Sequence, residues 1–259
     1  MNLSRPAWRL PRGVTRGLWE HAQIEHSAGA YDERFSHRAS VELDEAVLDE
    51  YLRPPGLLID LGCGTGRLTI PLARRGFRCV AVDLSLPSLM TVGQNAAAES
   101  LPVDRLLVNL VELDCLRDGS ADYCISMYST LGMIRGRDNR LQFLRHVRRI
   151  LKPGGTFVVH VHNRWYNIFQ PQSRWWFVTN LLRSMRRADV EAGDKFFDYQ
   201  GVPNMFLHVF TRNELVADLN SVGFHVERLI PLSIERTDTL RWPWLWGWLR
   251  AGGWIGICR

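Results

Sequence analysis

Leu57-Leu58-Ile59-Asp60-Leu61-Gly62-Cys63-Gly64-Thr65-Gly66-Arg67-Leu68 passes from an apolar run, through alternating glycines, into a helical pattern. The run Leu57 to Leu61 reads as a short buried strand. Leu68 to Arg75 reads as the following helix, ended by Gly76 at its C-cap. Glycines at alternate positions let the backbone turn tightly and approach a ligand with no Cβ in the way. The helix start presents free N–H groups to a polar or anionic ligand atom. Arg67 stands where a dinucleotide-binding loop needs its last glycine for close helix–strand packing, which argues against that kind of loop.

The same rhythm continues outward. Cys79-Val80-Ala81-Val82 is a second apolar strand, and Ser85 is placed to cap a helix running to Glu99, with Pro87 in its first turn. Leu106-Leu107-Val108 and Tyr123 to Met127 read as the third and fourth strands. Asp138 is expected to cap a helix with the stripe Leu141, Leu144, Val147 and Leu151. Pro153-Gly154-Gly155 then turns the chain into a fifth strand, Thr156 to Val161. Strand and helix alternating in this way predict an α/β fold with a doubly wound parallel sheet covered on both faces.

Two regions flank this unit. Residues 17–53 read as two helices, stopped by Pro54-Pro55-Gly56, so residues 1–55 form an expected N-terminal helical cap on a domain of residues 56–259. Residues 163–204 break the rhythm with aromatics that include Trp165, Trp175, Trp176, Phe196 and Phe197, and with one helix near 173–187. They read as an insertion after the fifth strand, suited to a substrate lid. Thr211-Arg212-Asn213-Glu214 is a capping box, with Leu215, Leu219 and Val222 facing inward and Gly223 as the stop. Phe224 to Ile230 and Trp254 to Cys258 complete seven strands.

Composition limits the classes of function. The chain has 259 residues, 46% of them apolar and 23% charged, as expected of a globular protein. It has no stretch of apolar residues long enough to span a bilayer, and Met1 to Arg16 lacks the apolar core of a secretory signal. Its five cysteines form no CxxC pair, so neither a disulfide framework nor a metal site is expected, and the expected compartment is reducing and cytoplasmic. The net charge of +5 comes almost wholly from arginine. Residues 135–187 hold eleven arginines and Lys152 against a single acid, Asp138, a band that reads as solvated helix faces or as a site for anionic partners such as RNA.

Four segments in register carry a family resemblance. Asp60 to Gly66 resembles the first motif of the class I S-adenosylmethionine-dependent methyltransferases. Val82-Asp83-Leu84-Ser85 is similar to the end of their second strand, where an acid holds the ribose. Asp118-Gly119-Ser120-Ala121-Asp122 resembles their turn into the fourth strand, and Leu151-Lys152-Pro153-Gly154-Gly155 their turn into the fifth. The resemblance covers about residues 56–161, and its nearest flavour is the type 11 branch that acts on small molecules. It implies a Rossmann-like sheet of seven strands, one antiparallel, S-adenosyl-L-methionine as cofactor and a small-molecule methyl acceptor.

The resemblance places the cofactor on Asp60, Gly62, Cys63, Gly64, Gly66, Asp83, Leu84, Asn109, Leu110 and Met127. Asp83 suits both ribose hydroxyls, since a carboxylate accepts two hydrogen bonds at once. Asn109 stands where an acid commonly meets the adenine amino group, with Glu112 and Asp114 as alternatives. At the acceptor end, His160 and His162 share one strand face, and His162, nearer the strand end, is the candidate general base. A second-layer histidine is the competing reading. The fourth strand lacks the Asn/Asp-Pro-Pro-aromatic ending of many enzymes that methylate nitrogen, and no cysteine is placed as cytosine-C5 chemistry requires.

Other features leave alternatives open. Trp242, Trp244, Trp246 and Trp248 alternate through one segment, which fits a peripheral membrane anchor or a flap packed over the core. Arg183, Arg186 and Arg187 fit a helix C-terminus or a grip on an acidic substrate. Tyr31-Asp32 resembles a segment that covers the cofactor in this family. An RNA methyltransferase using the 135–187 arginines and a non-catalytic binding module stand as alternative functions.

Overall fold

The computed structural model describes residues 9–24 and 38–259, so Tyr31-Asp32 lies outside the described residues. Seven strands form the central sheet: β1 (Leu57–Leu61), β2 (Arg78–Asp83), β3 (Val103–Leu107), β4 (Ala121–Ser126), β5 (Leu151–His162), β8 (Val226–Leu232) and β9 (Gly253–Cys258). Their order across the sheet is β3-β2-β1-β4-β5-β9-β8. All neighbours are parallel except β9, which runs antiparallel to both β5 and β8. This is the doubly wound, seven-stranded α/β sheet expected, with its order reversing between β1 and β4.

The period of two sorts side chains onto two cores. Ile59 and Leu61 of β1, and Phe157, Val159 and Val161 of β5, pack with Phe143, Leu144 and Val147 of helix Arg137–Ile150 and Leu215 and Leu219 of helix Arg212–Ser221. Leu58, Ile125 and Val158 face the other way, against Val47 and Leu48 of helix Arg38–Tyr51 and Leu72 of helix Thr69–Arg74. β9 is buried at all six positions, as a strand between two others with helices on both faces must be.

Local capping chemistry follows the sequence at two sites. Ser85 Oγ accepts from the Ser88 N–H at 3.3 Å at the start of helix Leu86–Ala98. Thr211 and Glu214 exchange reciprocal side chain-to-backbone bonds in a capping box. Several expectations need correction. Asp138 is no cap: Gly136 occupies the N-cap position at φ +88°, and Asp138 sits in the first turn, favourable to the helix dipole. Pro153-Gly154-Gly155 lies within β5, in a bulge between the pairs Ala121–Leu151 and Tyr123–Thr156, because β5 begins to pair at Leu151. β3 begins at Val103, and β8 is displaced toward Leu232.

The largest addition is a hairpin. Beyond the 3₁₀ turn Trp165–Ile168 and helix Pro171–Arg186, β6 (Asp194–Tyr199) and β7 (Val202–His208) form a separate two-stranded antiparallel sheet. The extra structure therefore extends past residue 204. Buried charge fastens the hairpin to helices Arg137–Ile150 and Arg212–Ser221. His208, wholly buried, sits between Asp194 (2.9 Å) and Glu214 (2.7 Å), and the equally buried Arg140 pairs with Glu191 at 2.5 Å. Glu191, His208 and Glu214 converge closely enough to ligate a cation, but Arg140 already brings a guanidinium to that cluster.

Two buried groups link folding to pH with the same sign. Burial pushes the Asp44 carboxyl up to about 7 despite Arg67 at 3.5 Å, and the two carboxylates raise His208 above the usual histidine value against its burial. In both cases the folded state holds a proton that the unfolded chain releases earlier. Stability carried by Asp44 is therefore lost as pH rises from the ordinary carboxylate range to about 7. That carried by His208 is lost as pH passes its raised value. His160 and His162, held low by burial, act in the opposite sense below the usual histidine value. Urea denaturation at pH 4 and pH 7 should therefore isolate the Asp44 part by difference: Asp44→Asn should gain stability relative to wild type as pH rises, by on the order of 4 kcal/mol at most.

Candidate active site

β1, β2 and β4 end together at the point where the strand order reverses, and a cavity of about 370 Å³ opens beyond their C-terminal ends. This is where ligands bind in open α/β sheets, and the volume lies within the range of small-molecule sites. One side of the cavity is the loop after β1. Gly62 has φ +83°, and a Cβ there would overlap the Thr130 side chain, so glycine is required by both conformation and contact. Gly64 has φ +53° and lines the cavity, and a Cβ built on it meets no protein atom within 4 Å. The empty volume above Gly64 is thus a cradle that any other residue would start to fill.

Asp83, at the end of β2, holds this loop in place. One carboxylate oxygen accepts from the Gly64 N–H at 2.8 Å and the other from the Ser85 N–H at 2.8 Å. Burial raises its pKa, and the backbone donors at Ser85, Gly64 and Leu84 oppose that rise. Two carboxylate oxygens offer about four acceptor sites, so these donors leave acceptor capacity on a side chain that lines the cavity. Asp60, behind the loop, accepts from Thr69 Oγ1 at 2.6 Å, and burial pushes its carboxyl up to about 6.

Cys63, Leu84, Asn109, Leu110 and Met127 also line the cavity, together with Asp60, Gly62, Gly64 and Asp83. Gly66 does not. A Cβ at Gly66 would come within 3.0 Å of Val92 Cγ2, so this glycine serves the approach of helix Leu86–Ala98 rather than a ligand. Asn109 spends its amide inside the chain: Nδ2 donates to the Arg12 carbonyl (3.0 Å) and Oδ1 accepts from the Val111 N–H (3.3 Å). It therefore ties the N-terminal segment to the cavity wall. Glu112 and Asp114 are exposed and do not line the cavity.

The cavity extends from the glycine loop to an aromatic and basic lobe. His162 lines it, and its Nε2 is buried without a hydrogen-bond partner among the described residues. Burial first, then the charges of Arg236, His160 and Lys195, hold His162 well below the usual histidine value. His160 is held down to about 3 by burial and by Arg236 and Arg67, so both rings are neutral. The two rings lie 5.7 Å apart, and Tyr128 packs edge-on against both. Tyr128 and Ser129 take left-handed backbone angles, a turn that carries the Tyr128 ring beneath the Arg67 guanidinium at 4.9 Å.

Several lining residues carry no local sequence signal. Leu18, His21 and Ala22 come from or adjoin helix Arg16–Ala22, which packs on β7. Phe197, Tyr199, Met205 and Leu207 come from the hairpin, and Arg236 from the connection between β8 and β9. Of residues 163–204, only Phe197 and Tyr199 of β6 line the cavity, and the β7 contribution lies beyond them. Arg183, Arg186 and Arg187 do not reach the cavity, which removes the acidic-substrate grip. The 135–187 arginines are also largely committed. Arg137 pairs with Asp218, Arg140 with Glu191, Arg149 with Asp118 and Arg187 with Asp189, while Arg148, Arg164 and Arg174 donate to backbone carbonyls.

Comparison with known proteins agrees with this geometry. Residues 59–159 match the family described as Methyltransferase domain. The chain is 33% identical over 107 residues to the ubiquinone biosynthesis O-methyltransferase of Caulobacter vibrioides, covering 41% of each chain. It is 29% identical over 136 residues to the methyltransferase YqeM of Bacillus subtilis, covering 52% of this chain and 54% of YqeM. The chain spans about half the length, or less, of these curated relatives. Among solved structures, the CcbJ methyltransferase from Streptomyces caelestis shares the fold with a TM-score of 0.66 at 20% identity, over 96% of this chain and 99% of that one. Residues 59–159 thus carry a methyltransferase domain that resembles the class I S-adenosylmethionine-dependent enzymes, on a sheet whose fold the solved methyltransferases share.

Proposed function

We propose that the chain transfers a methyl group from S-adenosyl-L-methionine to a small aromatic acceptor carrying an ionisable oxygen. The observation that carries this reading is the single cavity wall on which a glycine cradle closed by Asp83 leads directly to the unpartnered Nε2 of His162. The cofactor, when bound, supplies an electrophilic methyl on a sulfonium centre. Gly62, Cys63 and Gly64 fit its close approach, Asp83 its ribose, Leu84 and Leu110 its adenine faces, and Asp60 and Met127 its amino-acid end. Asn109 contributes by fixing the wall rather than by direct recognition.

The acceptor lobe supplies alignment, dryness and charge. Phe197, Tyr199, Met205 and Leu207 offer faces and edges for a flat apolar body. His162 is neutral throughout the physiological range and so keeps a lone pair for an acceptor hydroxyl. Arg236 makes no side-chain ion pair among the described residues and brings positive charge to the same lobe. That charge weakens the basicity of His162 but favours an acceptor that arrives as, or becomes, an oxyanion. Arg236 is the group we assign to holding an acidic acceptor.

The ubiquinone biosynthesis enzyme among the relatives is named an O-methyltransferase, which supports oxygen as the acceptor atom here. Among the described residues all five cysteines are free and no helix is long and apolar enough to cross a membrane, which supports a reducing, cytoplasmic setting. The committed arginines of 135–187 leave the RNA reading with little surface. We propose residues 1–55 as a cap over the cofactor-binding domain of residues 56–259.

Calorimetric titration with S-adenosylhomocysteine tests the first half of this reading. Wild type should bind, and Asp83→Asn should bind roughly tenfold more weakly or worse, through loss of charge-assisted hydrogen bonds. Absence of binding by folded wild type would leave the non-catalytic module as the better account. The second half is tested with a panel of hydroxylated aromatic acids and their neutral analogues. His162→Ala should lower kcat by roughly a hundredfold while leaving cofactor affinity unchanged. Arg236→Gln should raise KM for acidic acceptors far more than for neutral ones.

A further inference from the structure

Helix Pro171–Arg186 is inverted with respect to water. The side chains it turns inward are polar: Asn180 is buried, donating to the carbonyls of Glu191 (3.2 Å) and Asp194 (3.0 Å) and accepting from the Gly193 N–H (2.8 Å). Ser173 is also buried, and Trp176 directs its indole N–H to the Asp194 carbonyl at 3.1 Å. One of its outward faces is apolar. Trp175, Val178, Leu182 and Met185 recur at helical spacing on one face, with Trp175 76% and Met185 78% exposed. Its remaining charges are Arg174, Arg183 and Arg186, with no acid along its length.

A second exposed apolar segment adjoins it. The Trp242–Trp248 stretch does not pack over the core: Trp244 is 79% and Trp246 67% exposed, and Trp242 and Leu245 are exposed as well. Trp165 joins the two segments, its ring lying 5.5 Å from Phe177 of the helix and 5.5 Å from Trp248. Asn163 pins the same corner by donating to the carbonyls of Trp248 (3.0 Å) and Ala251 (2.7 Å). Residues 239–252 contain Arg241 and Arg250 and no acid. The two exposed apolar segments thus meet at Trp165, each carries arginine, and neither carries a carboxylate, which makes them one candidate face.

We propose that this face seats the protein on a bilayer surface containing anionic phospholipid. Tryptophan prefers the boundary between headgroups and acyl chains, and Arg183, Arg186 and Arg241, which make no ion pair among the described residues, meet phosphate there. A second copy of this chain is a poor occupant, because a two-fold contact would set these arginines against themselves with no acid to answer them. A polyanion such as RNA would leave Val178, Leu182 and Met185 unused. The proposal is independent of the methyl-transfer reading, since it uses no residue of the cavity.

Flotation with phosphatidylcholine vesicles, with and without phosphatidylglycerol, tests it on the whole chain. Wild type should float with the anionic vesicles. Trp175→Ser/Met185→Ser and Trp244→Ser/Trp246→Ser, all at exposed positions, should each lower partitioning by roughly tenfold or more, because apolar side chains leave the interface. Circular dichroism and S-adenosylhomocysteine binding of the same variants should match wild type. Failure to float with either vesicle would overturn the proposal. So would binding that raised salt abolishes and the tryptophan variants leave intact, as for any polyanion. Sedimentation showing a wild-type dimer that the variants convert to monomer, with no vesicle binding, would assign the face to a second copy instead.

Discussion

The Asp83 carboxylate, bonded at once to the Gly64 and Ser85 N–H groups, is the constraint on which the site depends. It joins the loop after β1 to the start of the helix after β2, on one side of the crevice where strand order reverses. Without it, the glycines that keep the loop open would also leave it free to collapse. Burial disfavours the charge on this acid, and fixed backbone dipoles offset much of that cost. Water is thus replaced by preorganised donors, and a ligand hydroxyl meets an acceptor already held in position.

What the sequence could reveal divides along the range of the forces involved. Strand–loop–helix units, the Ser85 cap and the Thr211–Glu214 box are decided within a few residues, so their chemistry is visible along the chain. The hairpin β6–β7 was hidden because its strands, Asp194–Tyr199 and Val202–His208, lack clean alternation: one face meets a cavity and the other a buried ionic cluster, so both faces mix polar and apolar residues. The cavity was legible for the same reason as the fold on its glycine side, and illegible on its acceptor side. Leu18, His21 and Arg236 reach it only because distant segments fold over the sheet. Gly66 and Asn109 are motif positions whose contacts in the fold are packing and tethering, which local sequence does not show.

The insertion faces two opposed demands. Its helix is held to the protein by Asn180 and by the indole N–H of Trp176, directional bonds that fix orientation without requiring apolar contact. Apolar surface is left on the outside, where in water it is unfavourable. The paired use of polar anchors and exposed aromatics explains why the segment breaks the alternating pattern of the rest of the chain, and why a hydrophobic-inside reading of its sequence misassigns its faces.

The hairpin separates recognition from attachment at the level of single residues. On β7, Met205 and Leu207 face the cavity while Phe206 and His208 face away, and on β6, Phe197 and Tyr199 face the cavity while Asp194 belongs to the ionic cluster. Alternation along a strand therefore gives this roof two independent vocabularies. Residues 197, 199, 205 and 207 can be rewritten as a set to suit a differently shaped acceptor, while 194 and 208 keep the roof bolted in place. A protein built this way can change clientele by drift at four positions, without renegotiating its architecture.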